Sequence, residues 1–266
     1  MDPAQFELPA VALLAACLVG VSTLAARAWG HGIGGLLSAF PLIVGPVLYL
    51  TAEREGAMAA AQTAAATLLG LVALSGFALA YGRSAVRWGW RASLLLAWAA
   101  AAVIGLVAAT LDAGLAVALA AAAASLALAR MALPAAREES APPVLPRWEL
   151  PLRMALTALL IVSLTAAGAR FGPTVAGILA ALPTLASVLA VFTHSLHGRD
   201  ALLDLLRGML GGMAAFVTFC ALIGLLVERA GVGPAFLLAT LAAVLVQAVA
   251  GRRHHALLAP SPRPGV

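Results

Sequence analysis

Apolar residues in this chain fall in runs of about twenty, the length an α-helix needs to cross roughly 30 Å of hydrocarbon. A membrane β-barrel would instead carry short segments of alternating hydrophobicity, and the sequence has none. Composition agrees: 63% of residues are hydrophobic and 10% charged, against roughly half and a quarter in soluble domains. The expected fold is all-α and polytopic, with the lipid bilayer as its first partner.

The apolar runs divide into nine expected spans: 8–28, 31–51, 57–81, 91–110, 112–132, 151–169, 172–194, 203–227 and 232–250. Nine crossings place the termini on opposite sides. On the side of the C-terminus fall twelve arginines: Arg27, Arg83, Arg87, Arg91, Arg130, Arg137, Arg147, Arg153, Arg199, Arg252, Arg253 and Arg263. Only Arg54, Arg170 and Arg229 fall on the other side, and Arg207 lies within a helix. Positive charge collects in the cytoplasm, so the C-terminus is expected inside and the N-terminus outside. The sequence starts with acidic residues and no basic segment, so the first apolar run is expected to remain as a helix. The net charge of +5 belongs to membrane loops, which argues against nucleic acid as a partner. The chain has no Lys and no Asn, a bias that points to GC-rich coding DNA and a bacterial inner membrane. Cys17 and Cys220 both lie in spans and are expected to be free thiols.

Shifted by 142 positions, the chain aligns with itself without a gap, 6–110 against 148–252. Phe6-Glu7-Leu8-Pro9 faces Trp148-Glu149-Leu150-Pro151; Gly30, Gly35, Leu37 and Pro41 face Gly172, Gly177, Leu179 and Pro183. Gly56, Gly70, Phe77 and Arg87 face Gly198, Gly212, Phe219 and Arg229. Each copy holds four spans, and an odd helix between them turns the second copy over. The expected organisation is an inverted 4+1+4 repeat: 6–110, a linker helix and cytoplasmic loop over 111–147, 148–252, and a disordered tail over 253–266. Such repeats characterise many secondary transporters.

Pro41 and Pro183 fall near the middle of the second span of each copy. Proline has no N–H and crowds the carbonyl four residues back, here Leu37 and Leu179. Backbone left unpaired at the bilayer midplane must face protein, water or a ligand. The expected substrate pathway is therefore lined by Leu37, Ser38, Pro41, Leu179, Pro183, Thr184 and Ser187. The glycines of 30–35 and the Gly208–Gly212 spacing are expected to let helices approach closely, not to hold phosphate. Gln62 and Gln247 read as helix–helix hydrogen-bonders. His194, His197, Asp200 and Asp204 read as a solvated loop, not a metal site, and His31 as interfacial. No span carries an acid or a basic residue near its centre, which argues against proton coupling. No catalytic motif, cofactor site or metal site is expected.

The segment Val175-Ala176-Gly177-Ile178-Leu179-Ala180-Ala181-Leu182-Pro183-Thr184, followed by His197-Gly198-Arg199-Asp200-Ala201-Leu202, resembles the GlpM-like family of small bacterial membrane proteins. The resemblance covers residues 175–212 and implies a four-span inner-membrane unit, here duplicated and fused; it carries over no functional residue. The four-plus-four plan is similar to that of small multidrug resistance transporters, whose acidic residue in the first span has no counterpart in Leu8–Ala28. The functional expectation is a permease or translocator of a lipid or small solute, with a homodimer as an expected partner state. The rival is a non-transporting scaffold or assembly subunit of an envelope-biosynthesis complex.

Overall fold

A chain in hydrocarbon must satisfy its backbone internally, and apolar runs of this length do so as helices. The computed structural model describes residues 4–41, 43–111, 113–135, 148–171 and 183–258. Its regular elements are all helical: α1 (Ala4–Trp29), α2 (His31–Ser38), α3 (Val44–Glu55), α4 (Ala57–Ser84), α5 (Trp90–Ala109), α6 (Leu115–Ala132), α7 (Glu149–Phe171), α8 (Thr184–Ala230) and α9 (Val232–Leu258). Six of them, α1, α4, α5, α6, α8 and α9, contain stretches long and apolar enough to cross a membrane. The all-α membrane fold expected from the sequence is therefore present.

Element boundaries depart from the expected spans chiefly in three places, one of them α9, which runs on to Leu258, into the tail expected to be disordered from 253. The stretch 31–51 is two helices, α2 and α3, separated at Pro41. The residues expected as the end of one span and the whole of the next form α8, which bends at Gly198 (φ 82°, ψ −172°). That backbone conformation is open to glycine and strained for any residue with a Cβ. The segment expected to be a loop after residue 194 is thus helical on both sides of a sharp bend. Residues 172–182, which include Leu179, lie outside the described residues.

The packing is inside out relative to a soluble bundle. Helix α5 turns Ser93, Ala97 and Ala101 inward, and α9 turns Ala235, Ala239 and Ala243 inward. Their large side chains, among them Leu95, Val103, Leu106, Leu237, Leu241 and Leu245, are exposed. Lipid rewards no burial of leucine, so helices associate through small residues that bring backbones close. At the centre, α4 packs against the arm of α8 beyond Gly198, and Leu68, Phe77, Tyr81, Leu202, Leu206, Leu210 and Ile223 are fully enclosed. Helices α5 and α6 cover α4, and α9 covers α8.

The closest approach is between α2 and α8. A Cβ on Gly208 would fall on the carbonyl of Gly32, one on Gly212 on that of Leu36, and one on Gly35 on that of Leu205. These are the glycines whose spacing suggested close packing. At the start of α2 the Gly32 N–H donates to Asp204 Oδ2 at 2.9 Å, satisfying a helix-end donor. Arg207 closes another helix end, donating to the carbonyls of Leu133 at 3.1 Å and Pro134 at 3.3 Å just past α6.

Candidate functional site

Pro41 ends α2, though not by freeing the carbonyl that the sequence indicates. The turn tightens so that the Phe40 N–H donates to the Leu37 carbonyl at 3.2 Å. The carbonyl Phe40 would otherwise have served is that of Leu36. It accepts a hydrogen bond from Gln247 Nε2 at 2.6 Å, across 211 residues of sequence. Gln247 is thus the helix–helix bond its residue type suggested. The buried Ser38 hydroxyl donates back to the Gly35 carbonyl at 2.6 Å. Leu37 is half-buried and Pro41 buried. Gly45 N–H donates to the Pro41 carbonyl at 3.0 Å and restarts the chain as α3.

At Pro183 the described chain resumes. Pro183 stands immediately before α8 (φ −77°, ψ 79°), with half-buried Thr184 in the first turn. Ser187 donates twice to the Pro183 carbonyl, from its N–H at 2.8 Å and from its hydroxyl at 2.7 Å. Its oxygen also accepts from Trp98 Nε1 at 2.8 Å. A hydroxyl thereby takes up a carbonyl at a helix start and ties α5 to α8.

Each break borders a cleft. One, of about 620 Å³, is lined by Phe40, Pro41, Gly45, Pro46, Tyr49, Leu50, Phe219, Phe236 and Thr240, between α3, α8 and α9. The other, of about 310 Å³, is lined by Leu94, Trp98, Leu156, Leu159, Leu160, Ser163, Ser187, Val188, Val191 and Phe192, between α5, α7 and α8. Both linings are almost wholly apolar. Pro41 and Ser187 thus line separate clefts.

A third feature was not anticipated: a buried polar cluster where the ends of α1, α2 and α7 meet the bend of α8. His31, expected at an interface, is only 3% exposed, and its ring lies 4.9 Å from that of His197. Arg153, also 3% exposed, forms an ion pair with the fully buried Glu149 one turn earlier on α7 and lies over the Phe192 ring at 5.0 Å. Arg153 is close enough to both histidines, and Arg27 close enough to both members of the ion pair, to act on them electrostatically. His194 meets the buried ring of Tyr81, with centroids 5.9 Å apart. Spacing held the missed signal. Val19, Thr23 and Arg27 repeat every four residues on α1, Glu149, Arg153 and Thr157 on α7, and Leu189, Thr193 and His197 on α8. All these side chains except the half-buried Arg27 and His197 are fully buried. Each set runs along one helix face. Among the described residues no group of three or more His, Cys, Asp or Glu side chains is placed to hold a metal ion.

No family model, curated protein or solved structure matches the chain.

Proposed function

We propose that this protein is a bacterial inner-membrane permease. It moves a lipid or another apolar small molecule between two inverted four-helix halves, 6–110 and 148–252, with the N-terminus outside and the C-terminus in the cytoplasm. One observation carries this reading: lining residues of the two clefts correspond at the offset that aligns the chain with itself. Shifting the first by 142 positions turns Gly45, Pro46, Tyr49 and Leu50 into Ser187, Val188, Val191 and Phe192 of the second. The opposite walls correspond crosswise, Phe236 and Thr240 to Leu94 and Trp98. Each cleft takes its walls from both halves, where alternating access requires a path.

Burial supports the same correspondence. Ala60, Ala64, Leu68 and Phe77 are buried, and so are their partners Leu202, Leu206, Leu210 and Phe219. The inward stripe of α5 maps onto that of α9, and the left-handed glycines Gly56 and Gly198 form a pair at the same offset. Inversion is supported by direction. The C-terminal end of α1 lies beside the N-terminal end of α7, with Arg27 near Glu149 and Gly20 against Met154. Near the end of α4, Gly82 meets Leu203 and Leu206, near the start of the counterpart of α4. Helix α6 sets Leu133 on Gly82 and Leu115 on Gly224, an offset pair, at its two ends.

The linings name the substrate class. Neither cleft presents a charged side chain, so a lipid chain or apolar solute fits and a hydrophilic ion does not. In proteoliposomes carrying a headgroup-labelled phospholipid and an external quencher, the wild type is expected to speed exchange between leaflets. Narrowing the larger cleft with Thr240→Trp, or restoring helix with Pro41→Ala and Pro183→Ala, should slow it by roughly tenfold, about 1.4 kcal/mol of barrier. If no lipid or solute of a broad panel moves, and the protein instead co-purifies with a fixed partner, the scaffold reading replaces this one.

A further inference from the structure

The polar cluster at the bend of α8 performs no task in either cleft. Its composition is unusual for the interior of a membrane bundle. Neither ring nitrogen of His31 has a hydrogen-bond partner among the described residues, and the same holds for His197 Nδ1, Arg153 Nε and the hydroxyls of Thr23 and Thr193. Buried polar atoms are almost always paired, and in hydrocarbon the cost of leaving them unpaired is higher still. These atoms mix donors with acceptors: the hydroxyls are both, and each neutral imidazole carries one of each. Water, which both donates and accepts, satisfies such a set; a hydronium ion, which only donates, satisfies the acceptors, whereas an anion satisfies the donors only.

We propose that the His31–His197 pair is the proton-binding site of this membrane bundle and takes up one proton between its two rings. A hydronium ion gives its proton to an imidazole nitrogen, leaving water and an imidazolium, and the step reverses when the cluster opens to the other side. The 4.9 Å ring separation sets the second proton well apart from the first, because two imidazolium charges at that distance repel strongly. The surroundings set the electrostatics from every side. Helix α1 contributes Arg27, and α7 contributes the Glu149–Arg153 pair. Helix α8 contributes His194, the Arg199–Asp200 pair at the bend, and Asp204 on the Gly32 N–H; Tyr81 of α4 closes the side next to His194. Three arginines stand against three carboxylates around the rings, a near balance to which one added proton gives a net positive charge.

The location gives the proton an effect. His31 opens α2 and His197 immediately precedes the Gly198 bend, so charging the pair acts on the contact between a helix start and a hinge. That coupling rests on the permease reading; proton binding does not. The absence of an acid or base at mid-span argued against proton coupling, but the groups lie where helix ends converge.

Two measurements test the proposal on the full-length protein in lipid nanodiscs and vesicles. Imidazole ¹⁵N shifts, assigned with His31→Gln and His197→Gln, should reveal two rings titrating as a pair, in steps separated by more than about one pH unit. Either variant should collapse the remaining ring to a single step. In the labelled-lipid assay, an imposed pH gradient should change the exchange rate in the wild type, and each variant should lose that dependence while keeping its unfolding midpoint. Independent, ordinary titration of the two rings overturns the site. Paired titration without movement of any probe keeps the site and overturns the permease. Exchange that ignores the gradient in wild type and variants alike overturns the coupling and leaves the permease standing.

Discussion

At the level of single residues, glycine positions divide into those that permit a contact and those that do not. Gly212 packs on the Leu36 carbonyl, whereas its offset partner Gly70 has nothing within 4 Å of where a Cβ would stand. Gly212→Ala should therefore destabilise by about 1–3 kcal/mol as α2 and α8 are forced apart. Gly70→Ala should be neutral or stabilise by up to about 1 kcal/mol through helix propensity. Unfolding midpoints in mild detergent separate the two. The Glu149–Arg153 pair gives a second test. Arg153→Met takes from a buried carboxylate its ion-pair partner on the same helix and should cost about 3–5 kcal/mol, while the double variant Glu149→Leu, Arg153→Met should recover most of it. Neither contrast could be read from the chain by itself. Sequence identifies the glycine, but the wall it packs on comes from another helix far away in the chain, and the four-residue spacing of Glu149 and Arg153 does not tell that the pair is buried. His31 is the clearest case: its place at a helix start suggested an interface, and the ring of His197, 166 positions away, buries it.

At the level of helices, most of the fold was legible. Hydrophobic length placed α1, α4, α5, α6, α7 and α9, because in lipid a long apolar run has no better option than a helix. Proline chemistry placed the break at Pro41. The choice of freed carbonyl was not legible, because Phe40 tightens the turn onto Leu37 and Gln247 reaches Leu36 from the last helix. Gln247→Leu is therefore expected to cost about 0.5–2 kcal/mol and to raise amide exchange at the end of α2. Of the expected pathway residues, Pro41 and Ser187 line clefts, while the Ser38 hydroxyl bonds to a carbonyl of its own helix. Hydropathy and proline position locate a break, but they do not orient a hydroxyl.

At the level of the whole molecule, an inverted pair of halves makes a prediction about sidedness that no single helix can. In a background of Cys17→Ser and Cys220→Ala, an impermeant maleimide added to intact cells should label Arg54→Cys and Arg229→Cys. It should reach Arg87→Cys and Arg252→Cys only after permeabilisation. Labelling of Arg87→Cys and Arg229→Cys from one side would mean that the halves run the same way. The eight-residue α2 has a further consequence at this scale. Asp204 holds its first turn and Gln247 its last, and those two residues belong to α8 and α9. The short helix is therefore a strut pinned at both ends to neighbouring beams. Any motion that slides α8 past α9 must carry the strut bodily with one beam and sever its bond to the other.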